Sequence, residues 1–113
     1  MENKINFEFK RHYIIVKFYG EIDCLNAPYY RHQLNHLFEE NNGDVIFDFS
    51  NITFIDSSGI GLILGRYNQL RFDNRQLKLT GLNQVSYKLF ELSGLFKIMP
   101  YFKTIDEALK REE

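Results

Sequence analysis

"VIFDFSNITFIDSSGIGLILGRYNQL", residues 45–70, decides the fold, because within a few residues an apolar run gives way to a helical one. "VIFDF" (45–49) has apolar residues on both faces, as expected of a strand inside a parallel sheet covered by helices. After "DSS" (56–58), Ile60, Ile63, Leu64, Tyr67 and Leu70 recur at helical spacing, which predicts an amphipathic helix with those residues as its core face. Asp56, Ser57 and Ser58 all belong to residue types that cap a helix N-terminus. The helix is weak in intrinsic propensity, since Gly59, Gly61 and Gly65 each cost roughly 1 kcal/mol against alanine. Ser58, Gly61, Leu62 and Gly65 form a second stripe beside the predicted core face. Small residues there serve either tight packing inside the domain or the close approach of another protein.

Upstream, "INFEF" (5–9) alternates apolar and polar, and "YIIVKFY" (13–19) is rich in β-branched and aromatic residues, so both are predicted strands joined by a turn at "KRH". Leu34, Leu37 and Phe38 then mark a helix that starts near Asn26, a cap candidate, tolerates Pro28 in its first turn and stops at "ENNGD". Downstream, "LKLTG" (77–81) reads as a strand and "NQVSYKLFELSG" (83–94) as a helix with Asn83 at its start and Gly94 at its stop. "KIMPYF" (97–102) reads as a short strand that Pro100 keeps near a sheet edge, and "TIDEALKR" (104–111) as a helix opened by a Thr104–Glu107 capping box. The predicted order is β β α β α β α β α, an α/β fold with a mixed sheet and right-handed crossovers.

The 113 residues, 44% hydrophobic and 16% aromatic, suffice for one domain with one real core, expected over 1–113. Fourteen basic and fifteen acidic residues leave a formal charge of −1, without the footprint of a protein that binds nucleic acid or an anionic membrane directly. No stretch approaches the roughly 18 apolar residues of a membrane span. A lone cysteine, Cys24, suits a reducing compartment, so a cytoplasmic protein is expected.

Catalytic motifs fall short one by one. The glycines at 59, 61 and 65 approach a dinucleotide fingerprint, but the next strand ends in Thr80 and Gly81 where a ribose-binding acid belongs. Gly65 is followed by Arg66 and Tyr67, not by the Lys-Ser/Thr of a P-loop. A hydrolase serine would need a later histidine, and His12, His32 and His36 all precede Ser57. His32 and His36 stand at i, i+4 with no cysteine or carboxylate cluster, and are read as a polar helix face with no metal assigned.

The run D-S-S-G-x-G-x-x-L-G-R-Y from Asp56 to Tyr67, with "GEID" (20–23) and "LFELSGLFKIM" (89–99), resembles the anti-sigma factor antagonists. These are the bacterial branch of the STAS domain family shared with sulfate transporters. The resemblance spans essentially the whole chain and departs at "CLNAPYY" (24–30), where relatives usually carry a Thr-Ala-x-x-L type of helix start. It implies a STAS-like single domain with a mixed sheet of about four to five strands and four helices. It also implies a non-enzymatic partner switch. A kinase-type anti-sigma factor phosphorylates the antagonist on the serine after the motif aspartate, here Ser57. The unphosphorylated antagonist binds that factor and frees the sigma factor, and a serine phosphatase resets the switch. ATP and a divalent metal are used by those partners, and the antagonist itself takes no cofactor. Asp23 and Asp56 match family positions beside the serine. Joined with the small-residue stripe, this puts the expected partner-binding surface at Asp23, Asp56, Ser58, Gly59, Gly61, Leu62 and Gly65. A ligand-sensing or signalling-complex module of the same fold is the alternative, and a nucleotide-binding protein the alternative outside it.

Overall fold

A computed structural model describes residues 2–110. Strands β1 (Lys4–Lys10) and β2 (Tyr13–Ile22) form an antiparallel hairpin in which Lys10 lies opposite Tyr13. The turn between them holds Arg11 at φ 57°, a left-handed conformation uncommon outside glycine. Helix α1 (Ala27–Glu40) then crosses to β3 (Asp44–Ile55), α2 (Ser57–Phe72) to β4 (Leu77–Thr80), and α3 (Gln84–Ser93) to β5 (Tyr101–Phe102); α4 (Ile105–Lys110) follows. The sheet order β1-β2-β3-β4-β5 follows the chain, and every pair after the first is parallel. The mixed sheet, expected to have about four to five strands, has five, and with four helices in the expected order the predicted architecture is the observed one. Consecutive parallel strands that neighbour one another, each joined through a helix, place the crossover helices on one face of the sheet.

That face carries the main core. Ile14, Val16 and Phe18 of β2 and Val45, Phe47 and Phe49 of β3 point into it, and Tyr30, Leu34, Ile63 and Phe90 come down from α1, α2 and α3. The ring of Phe18 stacks on Phe49 at 5.0 Å and meets Phe47 edge-on at 5.0 Å. The Tyr30 hydroxyl donates to the Tyr19 carbonyl, tying α1 to β2. The alternate positions Tyr13, Ile15 and Ile46 make a smaller core on the opposite face with Phe102, Ala108 and Leu109. Lys78 is buried there, its ammonium donating to Tyr13 Oη at 2.6 Å and the Ala108 carbonyl at 2.8 Å.

The structure departs from the sequence reading in three places. "KIMPYF" is mostly not a strand: Leu95–Lys97 form a 3-10 turn and only Tyr101–Phe102 pair, with β4. Pro100 has no N–H to donate, so pairing begins only after it. In α2, Leu64 is 37% exposed although predicted to face the core, and Leu62 is only 5% exposed. The buried side of the helix is turned toward Leu62 because α2 packs on α1 as well as on the sheet. The last helix keeps half of its expected capping box, the Glu107 N–H donating to Thr104 Oγ1 at 3.1 Å, and Arg111 lies outside the described residues.

Candidate partner-binding site

Irregular register brings the two aspartates together. β3 carries extra residues against β2, between the pairs Lys17–Asp48 and Tyr19–Asn51 and again before Glu21–Phe54, so that Ile22 and Ile55 end side by side. Gly20, at φ 98°, makes this bend, and a Cβ there would lie 2.0 Å from Asn3 Oδ1, which accepts from the Glu21 N–H. The Asp56 N–H donates to the Ile22 carbonyl at 3.1 Å. Asp23 and Asp56 thus leave adjacent strand ends at the C-terminal edge of the sheet.

Each aspartate opens a helix. Asp56 Oδ1 accepts from the Ser58 N–H at 2.8 Å, and the Asp56 carbonyl accepts from the Gly59 N–H at 2.9 Å. Asp23 Oδ1 accepts from the Leu25 and Asn26 N–H groups at 3.1 and 2.9 Å, and its carbonyl from the Ala27 N–H at 2.8 Å. Asn26 occupies the cap position of α1 predicted for it, but its side chain makes no capping bond, and Asp23 satisfies the entry to the helix instead. Ser57 is the first residue of α2 and is exposed. Its hydroxyl has no hydrogen-bond partner among the described residues.

The predicted surface divides in two. Gly59 is buried, and a Cβ added to it would stand 2.3 Å from Ile55 Cγ2 and 3.3 Å from Ile22 Cγ2, so it serves helix-on-sheet packing and offers no face to a partner. Leu62 belongs to the core and shows only an edge to the surface, in the groove between α1 and α2. Gly61 and Gly65 have nothing within 4 Å of an added Cβ, and with half-buried Ser58 they leave an open strip along α2. Sequence reasoning missed two apolar neighbours of the aspartates, Leu25 at 84% and Phe54 at 49% exposure. Leu25 sits in a turn, where no periodicity marks it, while Phe54 belongs to the part of β3 beyond the predicted "VIFDF".

Between α1 and α2 a groove of about 320 Å³ opens beside Ser58, Gly61 and Cys24, with Ala27, Pro28 and Leu62 as apolar lining and Arg31 and Arg66 as charged lining. Burial holds the Arg66 guanidinium below its ordinary pKa, and the charge of Arg31 adds to that. His32 and His36 are exposed on α1, and the described residues contain no group of three or more His, Cys, Asp or Glu that could hold a metal ion. No helix among them is long and apolar enough to cross a membrane.

The chain is similar to known proteins along nearly its whole length. The STAS domain family matches residues 4–108. The anti-sigma F factor antagonist of Paenibacillus polymyxa is 32% identical over 114 residues, covering 100% of this chain and 97% of that protein. The solved structure of the anti-sigma factor antagonist SpoIIAA in its unphosphorylated form superimposes with a TM-score of 0.79 at 27% identity, covering 96% of this chain and 95% of that one. The Bacillus cell fate determinant SpoIIAA in its phosphorylated form superimposes with a TM-score of 0.71 at 28% identity, covering 96% and 98%. Matched from β1 to α4 in sequence and in strand order, the chain belongs to the anti-sigma factor antagonists of the STAS domain family.

Proposed function

We propose that the chain is the phosphorylatable component of a partner switch. Unphosphorylated, it binds a kinase-type anti-sigma factor and thereby frees a sigma factor; phosphorylated on Ser57 by that kinase, it is released until a metal-dependent serine phosphatase resets it. ATP and the divalent metal belong to those two partners, and the chain is assigned no cofactor or catalytic role of its own. The switch operates in the cytoplasm. The likeness to a Bacillus cell fate determinant supports a place in sporulation.

The observation that carries this reading is the position of Ser57: exposed, first in α2, directly after the Asp56 cap, with a hydroxyl the fold does not use. A phosphoryl group adds about −1.5 to −2 charge and is tolerated at a helix N-terminus, where free N–H groups and the dipole favour an anion. Beside Asp23 and Asp56, and against a partner drawn close by Gly61 and Gly65, the same charge brings repulsion and bulk into the interface. SpoIIAA, known in both forms, supports the same chemistry here. The test is phosphosite mass spectrometry after incubation with the kinase-type anti-sigma factor and ATP. Phosphate is expected on Ser57 in the wild type and in Ser58→Ala, and none in Ser57→Ala. Uptake by Ser57→Ala equal to that of the wild type would overturn the reading.

A further inference from the structure

We infer that the groove between α1 and α2 is an acceptor for an acidic side chain, and that its occupant is an Asp or Glu carboxylate of the anti-sigma factor, paired with Arg31 and Arg66. The inference rests on the partner-switch reading and adds the chemistry by which the partner is held.

Arg66 is half-buried, and its Nε and Nη1 are inaccessible to solvent with no hydrogen-bond partner among the described residues. Leaving buried donors unpaired is unfavourable, and doing so on a charged group is more so. The nearby charge of Arg31 makes the arrangement worse, and its repulsion, after burial, is what depresses the Arg66 pKa. No carboxylate among the groove-lining residues relieves it. The remaining nitrogen, Nη2, is neither enclosed nor bonded among the described residues, so Arg66 and Arg31 line the groove with no counter-charge among its lining residues and leave a place for an anion from outside.

The shape and position of the groove select the kind of anion. Ala27, Pro28 and Leu62 line it with apolar surface that suits the methylene stem of an acidic side chain, and a carboxylate between the two arginines can take a charge-assisted hydrogen bond from each. Ser58 and Gly61, which also line it, join it to the open strip on α2 and to Ser57 one residue away. Charge complementarity and continuity with the proposed docking face therefore both favour a protein carboxylate over a free anion. The arrangement also couples to the switch, since a phosphoryl dianion on Ser57 would repel a carboxylate entering beside Ser58.

The experiment measures affinity and dissociation rate of the wild type, Arg66→Met, Arg31→Gln and the double variant against the purified kinase-type anti-sigma factor, at low and high salt. Methionine keeps an unbranched stem in the apolar part of the groove. Loss of a desolvated charge pair acts mainly on the dissociation rate, so Arg66→Met is expected to bind about tenfold more weakly and to dissociate faster, with the double variant weaker still and less sensitive to salt. The melting temperature of Arg66→Met is expected to be unchanged or raised, because the folded state loses an unpaired buried cation. Unchanged affinity in the double variant, with binding still abolished by Ser57 phosphorylation, overturns the groove assignment and leaves the partner switch standing. The same result with inorganic phosphate raising the melting temperature of the wild type alone overturns it in favour of a free-anion site. A wild-type chain that does not bind the anti-sigma factor at all overturns both.

Discussion

Gly59 and Gly61 stand two positions apart on α2 with opposite surroundings: a Cβ on Gly59 would meet Ile55 Cγ2 at 2.3 Å, and one on Gly61 would meet nothing within 4 Å. Both weaken the helix by about the same intrinsic amount, roughly 1 kcal/mol against alanine. The fold explains only the first. Gly59 lets α2 sit close to Ile22 and Ile55, the residues that end β2 and β3, and so sets where Asp56 and Ser57 emerge. Gly61 and Gly65 are dispensable to the packing of this domain, which is why their smallness points outward. The inner side of α2 is governed by core complementarity, and the outer side is the proposed docking face.

The largest effect is expected from charging the outer side without touching the inner. Phosphorylation of Ser57 is expected to weaken binding to the anti-sigma factor at least about a hundredfold, or some 2.8 kcal/mol, while the thermal midpoint stays nearly constant. Constancy follows because the favourable interaction of an anion with the helix start, about 0.3 to 1 kcal/mol, is offset by repulsion from Asp56 and Asp23. Titration and thermal melts of the two forms check this. A phosphorylated chain that melts far lower would mean that the switch works by unfolding.

On the inner side, Gly59→Ala is expected to destabilise by about 1 to 3 kcal/mol despite better helix propensity, since β-branched Ile55 cannot yield its methyl without shifting. Denaturant unfolding measures it, and a stabilised Gly59→Ala would erase the distinction between the two sides.

Gly61→Leu and Gly65→Leu sharpen the contrast with a smaller effect. Each is expected to keep the fold and its melting temperature while weakening the anti-sigma factor about tenfold by obstructing close approach. Loss of the folded circular dichroism spectrum in both would assign these glycines to internal packing.

The smallest effect has the opposite sign to that of Gly59→Ala. Gly61→Ala and Gly65→Ala are each expected to stabilise the free chain by about 0.5 to 1 kcal/mol, read in the same unfolding experiment. Destabilisation of either would show that the open strip is needed by the fold.

Local chemistry was sufficient for much of this architecture. The apolar run at Val45–Phe49, the helical spacing from Ile60 to Leu70, the Asn83 cap and the left-handed Gly94 are short-range signals, and each marks an element that is present, although β3 runs on past the predicted stretch to Ile55. The position of Ser57 at the start of α2 was also legible, through its place after Asp56 in a specific motif. Spacing could not tell which of two apolar stripes on α2 faces inward, because Leu62 and Leu64 both satisfy a helical period and only the position of α1 buries the first. Nor could it separate Gly59 from Gly61, since a glycine carries no side chain whose pattern reports its neighbours, and those of Gly59 are set by how the strand-to-helix turn folds Ile55 back under it and by Ile22 from a strand far back in the chain. The pairing of Arg31 with Arg66 is of the same kind. The two lie 35 positions apart, on separate helices, and α1 and α2 meet only because both must cover one face of a sheet. Periodicity and capping act over a few residues and are written in the chain, whereas which surfaces touch depends on how the whole core closes.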